Sequence, residues 1–237
     1  MATEQTETYN FVVGANPSLR IQHNVGQVTI RAGAAGEAHV EVTKRVRDGF
    51  FGSGAEADLE KVHVKVTQDG GLINIATRYD DSISGKRVTV DVAIACPAQV
   101  TLDTKLNAGT LDITGTQGKT NVQLNAGTAD LSDVTLGDGS SFDVNAGTVN
   151  FQGALAEGAS VSAQVNAGTI KLRLPQNTAA DVDGAAQAGS ISVSGWRLHE
   201  EHAIMRQRVS GALNPSASGG GRLHLHANAG SISLIAQ

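Results

Sequence analysis

One cysteine, four prolines and eight aromatic residues among 237 limit this chain before any pattern is sought. The lone Cys96 excludes internal disulfides and a cysteine cage for zinc. Aromatics make up 3% of the residues while hydrophobics make up 40%. The apolar content is therefore small and aliphatic, and it suits a thin or layered interior better than a wide one. A basic surplus is missing too: Lys+Arg 18 against Asp+Glu 23 leaves a net charge of -5, which supplies no field for gripping a phosphate backbone, so nucleic acid is not an expected partner. No apolar run approaches the ~18 residues of a spanning helix. The opening Met1 to Thr8 has neither a basic nor an apolar signal region. As it stands the sequence reads as cytoplasmic and without a transmembrane segment, or as part of the cell envelope if the native chain is tethered or trimmed.

What the chain has is glycine, 28 of it, and much of it recurs in one motif. Asn107-Ala-Gly-Thr110, Asn125-Ala-Gly-Thr128, Asn145-Ala-Gly-Thr148, Asn166-Ala-Gly-Thr169, Gln187-Ala-Gly-Ser190 and Asn228-Ala-Gly-Ser231 follow one another at steps of 18, 20, 21, 21 and 41 residues. The last step is close to two turns of the same period, as though an insertion had overwritten one repeat. Each motif precedes an apolar, polar, apolar triplet such as Leu111-Asp-Ile113 or Ile170-Lys-Leu172, and a period of two means strand. Around the motif the apolar parity slips by one residue, from Val122 and Leu124 to Ala129 and Leu131. The chain must bend there, and glycine can take a positive φ at such a bend. The expected corner has Ala pointing in, Gly turning, and Asn and Thr facing out.

These dimensions predict an all-β, single-stranded β-solenoid with coils of about 20 residues stacked roughly 4.8 Å apart. Gly26, Gly109, Gly127, Gly147, Gly168, Gly189 and Gly230 are its expected corners. Asn107, Asn125, Asn145 and Asn166, with Thr110, Thr128, Thr148 and Thr169, form the expected outward ladders. The whole of 1–237 reads as one domain: N-terminal coils with an insert over 1–100, regular coils over 101–195, and an insert with a final coil over 196–237. Within the first part, Ala55 to Val62 reads as a short helix, and His63 to Val66 with Leu72 to Thr77 as a hairpin, together covering one open end. Pro97 and Pro175 mark what reads as the same loop exit in two coils.

Leu19-Arg-Ile-Gln-His-Asn-Val-Gly-Gln-Val-Thr-Ile30, Val90-Asp-Val-Ala-Ile-Ala-Cys-Pro97, the serial Asn-x-Gly coils and the closing Gly219 to Leu234 segment resemble the bacterial putative-adhesin domains of unknown function, which are toast-rack-like β-solenoids. The resemblance spans nearly the whole chain. It implies a non-enzymatic module of the envelope or cell surface, often membrane-tethered and associated with stress-response proteins, with no catalytic residues and no cofactor.

Other groups of residues have the composition of chemical sites. Gly118-Lys-Thr120 imitates the end of a phosphate loop, but position 113, where the earlier glycine belongs, is Ile. His199-Glu-Glu-His202 places two histidines one helical turn apart, with His224 and His226 alternating on a nearby strand; solvated surface histidines are the favoured reading over a zinc or nickel site. Asp112 and Asp130 share a register, but the next coils carry Asn150, Lys171, Ser192 and Ser233 there, so the acidic rank that a glycosidic carboxylate pair would need does not persist. Stacked Asn amides and exposed Thr read as a structural ladder more than as a ligand surface. Phe50 and Phe51, beside Lys44, Arg45 and Arg47, could form a tip that docks on a partner or fold under the helix to close the coil end. The final triplet Ile232-Ser-Leu234 reads as an exposed edge, hence a candidate route to a homo-oligomer through the terminal coil, unless the insert over 196–222, with Trp196, Leu198, Ile204 and Met205, returns to cover it. The function expected is a scaffold or interaction module whose protein or surface partner is not named by the sequence. A carbohydrate-active β-helix enzyme and a self-assembling filament subunit are the alternatives.

Overall fold

Alternation of buried aliphatic and exposed polar residues makes nearly every described segment a strand. The structure, a computed structural model, describes residues 4–46, 55–80, 88–215 and 220–237; Phe50 and Phe51 lie outside these. The chain begins with β1 (Glu4–Val12), β2 (Ser18–Ala32) and β3 (Glu37–Val46), then α1 (Ala55–Glu60), β4 (Val62–Asp69), β5 (Leu72–Tyr79) and β6 (Val88–Cys96). Long coil strands follow: β7 (Thr101–Thr114), the short β8 (Gln117–Gly118), β9 (Thr120–Leu136) and β10 (Ser140–Leu155). Next come β11 (Ser160–Val165), β12 (Thr169–Leu174), β13 (Ala180–Ala186) and β14 (Ser190–Ser194). The chain closes with β15 (His199–Ala203), β16 (Arg206–Ala212), β17 (Gly221–Ala227) and β18 (Ser231–Ala236). All belong to one open, mostly parallel 18-stranded sheet folded into a solenoid-like stack.

The sheet bends at the Asn-x-Gly motif into two walls. The first wall runs β4, β5, β2, β7, β9, β10, β11, β17, β13, β16, β15. The second runs β1, β3, β6, β2, β7, β9, β10, β12, β18, β14. The strands β2, β7, β9 and β10 pass through the bend and serve both. Between the walls lies a thin core of Leu, Ile and Val with few aromatics. Phe142 on the first wall meets Phe151 on the second, ring centroids 6.0 Å apart, both fully buried.

The order of coils in space differs from their order in sequence at both ends. β2 sits between β5 and β6 on one side and β7 on the other, and the last coil, β17 and β18, sits between the β11–β12 coil and the β13–β14 coil. The chain therefore passes over an occupied coil twice, once after β6 and once after β12. Those crossings are at Pro97 and Pro175, so the prolines mark where the chain leaves the stack to skip a coil. Proline suits such exits because it lacks the N–H that a continuing ladder would use. The expectation that Ile232 to Leu234 forms an exposed edge is corrected here, because β18 is paired on both sides, to β12 and to β14.

Antiparallel pieces lie over both stack ends, on both walls at one and on the first wall only at the other. At one, the hairpin β4–β5 covers the first half of β2, while β1, β3 and β6 cover the second, and α1 packs against β3 and β4 with Leu59 buried. At the other, the hairpin β15–β16 covers β13. Antiparallel caps end a parallel stack without offering the next coil a matching ladder.

Cys96 and His23 are among the titratable groups buried in these layers. Cys96 is a free thiol whose pKa burial pushes up to about 11, which marks it as an inert packing residue. His23 occupies the inward place that Leu106 takes in the adjoining coil, with Nδ1 3.0 Å from the Thr77 hydroxyl of β5. Burial lowers its pKa to about 4, an effect partly offset by the Val90 backbone and by the charge of Asp91. The fold thus prefers the neutral ring. Its stability is complete above the unfolded pKa of ~6.5 and is lost as the pH falls from there through about 4. Between pH 7.5 and 4.5 this one group is expected to cost on the order of 2–3 kcal/mol. His23→Leu should flatten the fall of the melting temperature over that range, and an unchanged pH slope would remove His23 as its cause.

Candidate functional site

Two features stand out on the surface, the ladder along the bend and a pair of grooves at the C-terminal end. At the bend the seven motif glycines stack in the order Gly26, Gly109, Gly127, Gly147, Gly168, Gly230, Gly189. A Cβ on Gly109 would lie 1.9 Å from the Gly26 carbonyl oxygen, on Gly127 2.0 Å from that of Gly109, and on Gly168 2.2 Å from that of Gly147. Positive φ occurs at Gly26, Gly109 and Gly127 but not at Gly147, Gly168, Gly189 or Gly230. What all seven require is clearance for the next coil's backbone, and only the first three also need the left-handed conformation. The alanine of the motif differs from expectation. Ala126 and Ala146 are exposed, because four residues round the outside of the bend before the inward pattern resumes at Ala129 or Val149.

Beside the glycines the asparagine amides form one directed chain. The Nδ2 of Asn107 donates to Oδ1 of Asn24 at 2.7 Å, and Asn125, Asn145, Asn166 and Asn228 continue it at 2.8, 2.8, 2.7 and 2.6 Å. One end is tied to the Thr77 carbonyl by Asn24, and the other meets Nε2 of His226 at 2.9 Å from Asn228 Oδ1. Since the amides are spent on one another, the row has little left to offer a ligand. Asn24 and Asn228, outside the core set of four, carry the same Asn-x-Gly signature in the sequence. Thr110, Thr128, Thr148 and Thr169 align in a neighbouring rank, where Thr169 Oγ1 lies 3.2 Å from Ser231 Oγ.

The acidic residues are engaged in the same way. Asp112 and Asp130 are register neighbours on the second wall. Gln27 Nε2 donates to Asp112 at 2.9 Å and Asn150 Nδ2 to Asp130 at 2.7 Å, while on the first wall Arg20 reaches Asp103 at 3.2 Å. Gly118, Lys119 and Thr120 lie on β8 and the start of β9, with no helix after them to cradle a phosphate. His199 and His202 stand on strand β15, not on a helix, so their odd spacing puts them on opposite faces; each lies near a glutamate, His199 to Glu201 at 3.2 Å and His202 to Glu200 at 3.4 Å. Among the described residues no three His, Cys, Asp or Glu side chains converge as metal ligands.

The concave surface is at the C-terminal cap. Along one outward rank of the first wall, Ala185 falls between His226 of β17 and Arg208 of β16. The small side chain leaves a depression whose flank, Arg208, is 3.6 Å from Asp183. Here a cavity of about 590 Å3 is lined by Ala185, Gln187, His202, Arg206, Arg208 and His226. A second, about 520 Å3, runs under the end of the β15–β16 hairpin to the bend and edge of β14, past Ser190, Ile191, Met205, Arg206 and Gln207. The turn of that hairpin presents Ile204 and Met205, 94% and 73% exposed, and Met205 holds φ 58. Bulky apolar residues at an exposed, strained turn are unusual. This region went unnoticed in the sequence, where only a small residue in an otherwise polar rank, Ala185, signals it.

No family model matches the chain, and no curated protein sequence matches it. No helix among the described residues is long and apolar enough to cross a membrane. Solved structures are similar. A putative cell adhesion protein from Clostridium sporogenes ATCC 15579 aligns over 98% of this chain and 100% of its own at 10% identity, with a TM-score of 0.55. Putative adhesins from Bacteroides fragilis NCTC 9343 and Parabacteroides distasonis ATCC 8503 align over 98% and 97% of this chain, and 97% and 96% of theirs, at 14% and 11% identity with TM-scores of 0.32 and 0.27. The coil stack, with caps at both ends, is therefore the fold of a solved bacterial protein described as a putative cell adhesion protein.

Proposed function

We propose that this protein is a non-enzymatic interaction module of adhesin type, working at or near the bacterial envelope, with its contact surface at the C-terminal cap. The observation that carries this is the state of the acidic residues. Asp112 accepts a hydrogen bond from Gln27 and Asp130 one from Asn150, and the register that holds them passes to Asn150 and Lys171 in the next two coils. A retaining or inverting glycosidase of the common kind uses two carboxylates facing one cavity, one holding a proton and the other ionised. None of three cavities at the C-terminal cap contains such a pair; one has Glu201 alone, one Asp183 alone, and one no carboxylate. The shared fold with a putative cell adhesion protein supports the adhesin reading. Incubation with a panel of acidic and neutral polysaccharides should release no reducing ends or unsaturated products. Turnover that disappears in Asp112→Asn or Asp130→Asn would replace this reading with an enzymatic one.

A further inference from the structure

β14 is the last strand of the second wall, and a side chain occupies part of its outer edge. Ser190 N donates to the Gly230 carbonyl at 3.0 Å, so the peptide groups of Ser190, Ser192 and Ser194 face β18, and those of Ile191 and Val193 face the other way. Among the described residues no strand pairs with β14 on that side. At Ile191 a side chain stands in for one. Gln207 extends from β16 on the first wall, accepts from Ile191 N through Oε1 at 2.9 Å and donates to Ile191 O through Nε2 at 2.7 Å. A single carboxamide thus reproduces the donor and acceptor of a neighbouring strand's peptide unit, while the Val193 unit further along has no strand beside it.

From this we infer that the free edge of β14 is a docking site for an extended acidic peptide, with Gln207 as the displaceable stand-in for its backbone. The inference rests on the interaction-module reading and names the partner. The cavity of about 520 Å3 opens at the start of this edge, against Ser190 and Ile191, and its lining holds Arg206 but no carboxylate. Met205 supplies apolar contact at its rim. β14 itself, Ser-Ile-Ser-Val-Ser, is uncharged, so the charge preference comes from Arg206 and points to acidic side chains on the ligand. A second copy of this chain fits less well. Pairing two five-residue strands buries far less than the ~1,200 Å2 of a stable interface between two copies.

The test uses the full chain and a fluorescein-labelled peptide with two aspartates ahead of the β18 sequence, Ser231–Ala236, read by fluorescence anisotropy beside a twin with two lysines. The aspartate peptide should bind at least tenfold more tightly than the lysine twin. Gln207→Ala should tighten binding severalfold by vacating Ile191. Val193→Pro removes one outward N–H and leaves the β18 ladder intact, since the Val193 peptide group faces away from it, and should abolish binding. Arg206→Glu, on the exposed hairpin end, should reverse the preference between the two peptides, which keeps the test decisive if the proline variant does not fold. Binding unchanged in Val193→Pro, an unreversed preference in Arg206→Glu, or no binding of either peptide even to Gln207→Ala would overturn the inference. So would sedimentation showing a dimer that Val193→Pro dissolves, which would assign the edge to a second copy. Polysaccharide turnover, by contrast, would sink the interaction-module reading without changing these anisotropies.

Discussion

A chain lacking residues 221–237 is expected to lose its C-terminal cap as a folded unit. The deletion removes no end piece but a middle layer, because β17 and β18 are hydrogen-bonded on both sides. With them go Leu223, Leu225, Ala227, Ile232 and Leu234, all buried. At ~1.5–3 kcal/mol for each larger side chain, the loss is comparable to the ~5–15 kcal/mol that holds an entire domain. In a stack where each coil contacts only its neighbours, β13 to β16 would be left with no layer beneath them, while the coils from β2 to β12 keep theirs. Trypsin should then cut rapidly at Arg197, Arg206 and Arg208 in the truncated protein, with far-UV circular dichroism retaining the signal of the remaining coils. Equal protease resistance in both proteins, with one unchanged melting temperature, would mean that the last coil is peripheral.

Gly127→Val is the point substitution with the largest expected effect. The new Cβ would sit 2.0 Å from the Gly109 carbonyl oxygen, and both partners in the clash are backbone held in ladders on either side. Gly127 also has φ 124, which a β-branched residue resists. Strained φ of ~1–3 kcal/mol and overpacking of similar size add to about 4 kcal/mol, and the melting temperature should drop by about 10 °C or more. Gly71→Ala is the control, with nothing within 4 Å of its added Cβ, and should move stability by less than ~1 kcal/mol. If both substitutions behave alike in thermal melts, the close stacking of the bend is not what these glycines serve.

The coils from β7 to β12 were legible because one motif carries three local signals at once, glycine, a parity slip and an alternating triplet. The same signals misplace the alanine, since a parity slip of one residue does not say how far the bend bulges outward; four residues do so, and Ala126 and Ala146 go with them. The place of the last coil was not legible. Ile232-Ser-Leu234 has the same pattern whether it is paired on one side or two, and which strand it joins is decided by the far-off β12 and β14. The 41-residue gap and the two prolines recorded the skipped coil without indicating its direction. His199-Glu-Glu-His202 has no apolar residue to set a period, so helix and strand read alike there until β16 pairs with it. The groove residues were hidden for a related reason. Arg208 and His226 flank Ala185 only because β16 and β17 pack on either side of β13, a juxtaposition of segments that no local pattern encodes.

The most direct test of the account is whether the last coil lies inside the stack and so holds the groove-bearing cap in place. Through-space proton contacts of Leu225, measured by nuclear magnetic resonance on selectively labelled protein, decide it. Leu225 is register partner to Ala163 of β11 on one side and to Gly184 of β13 on the other. Contacts from Leu225 to both are the predicted result; contacts joining Ala163 directly to Gly184, with Leu225 touching only one of them, would contradict it.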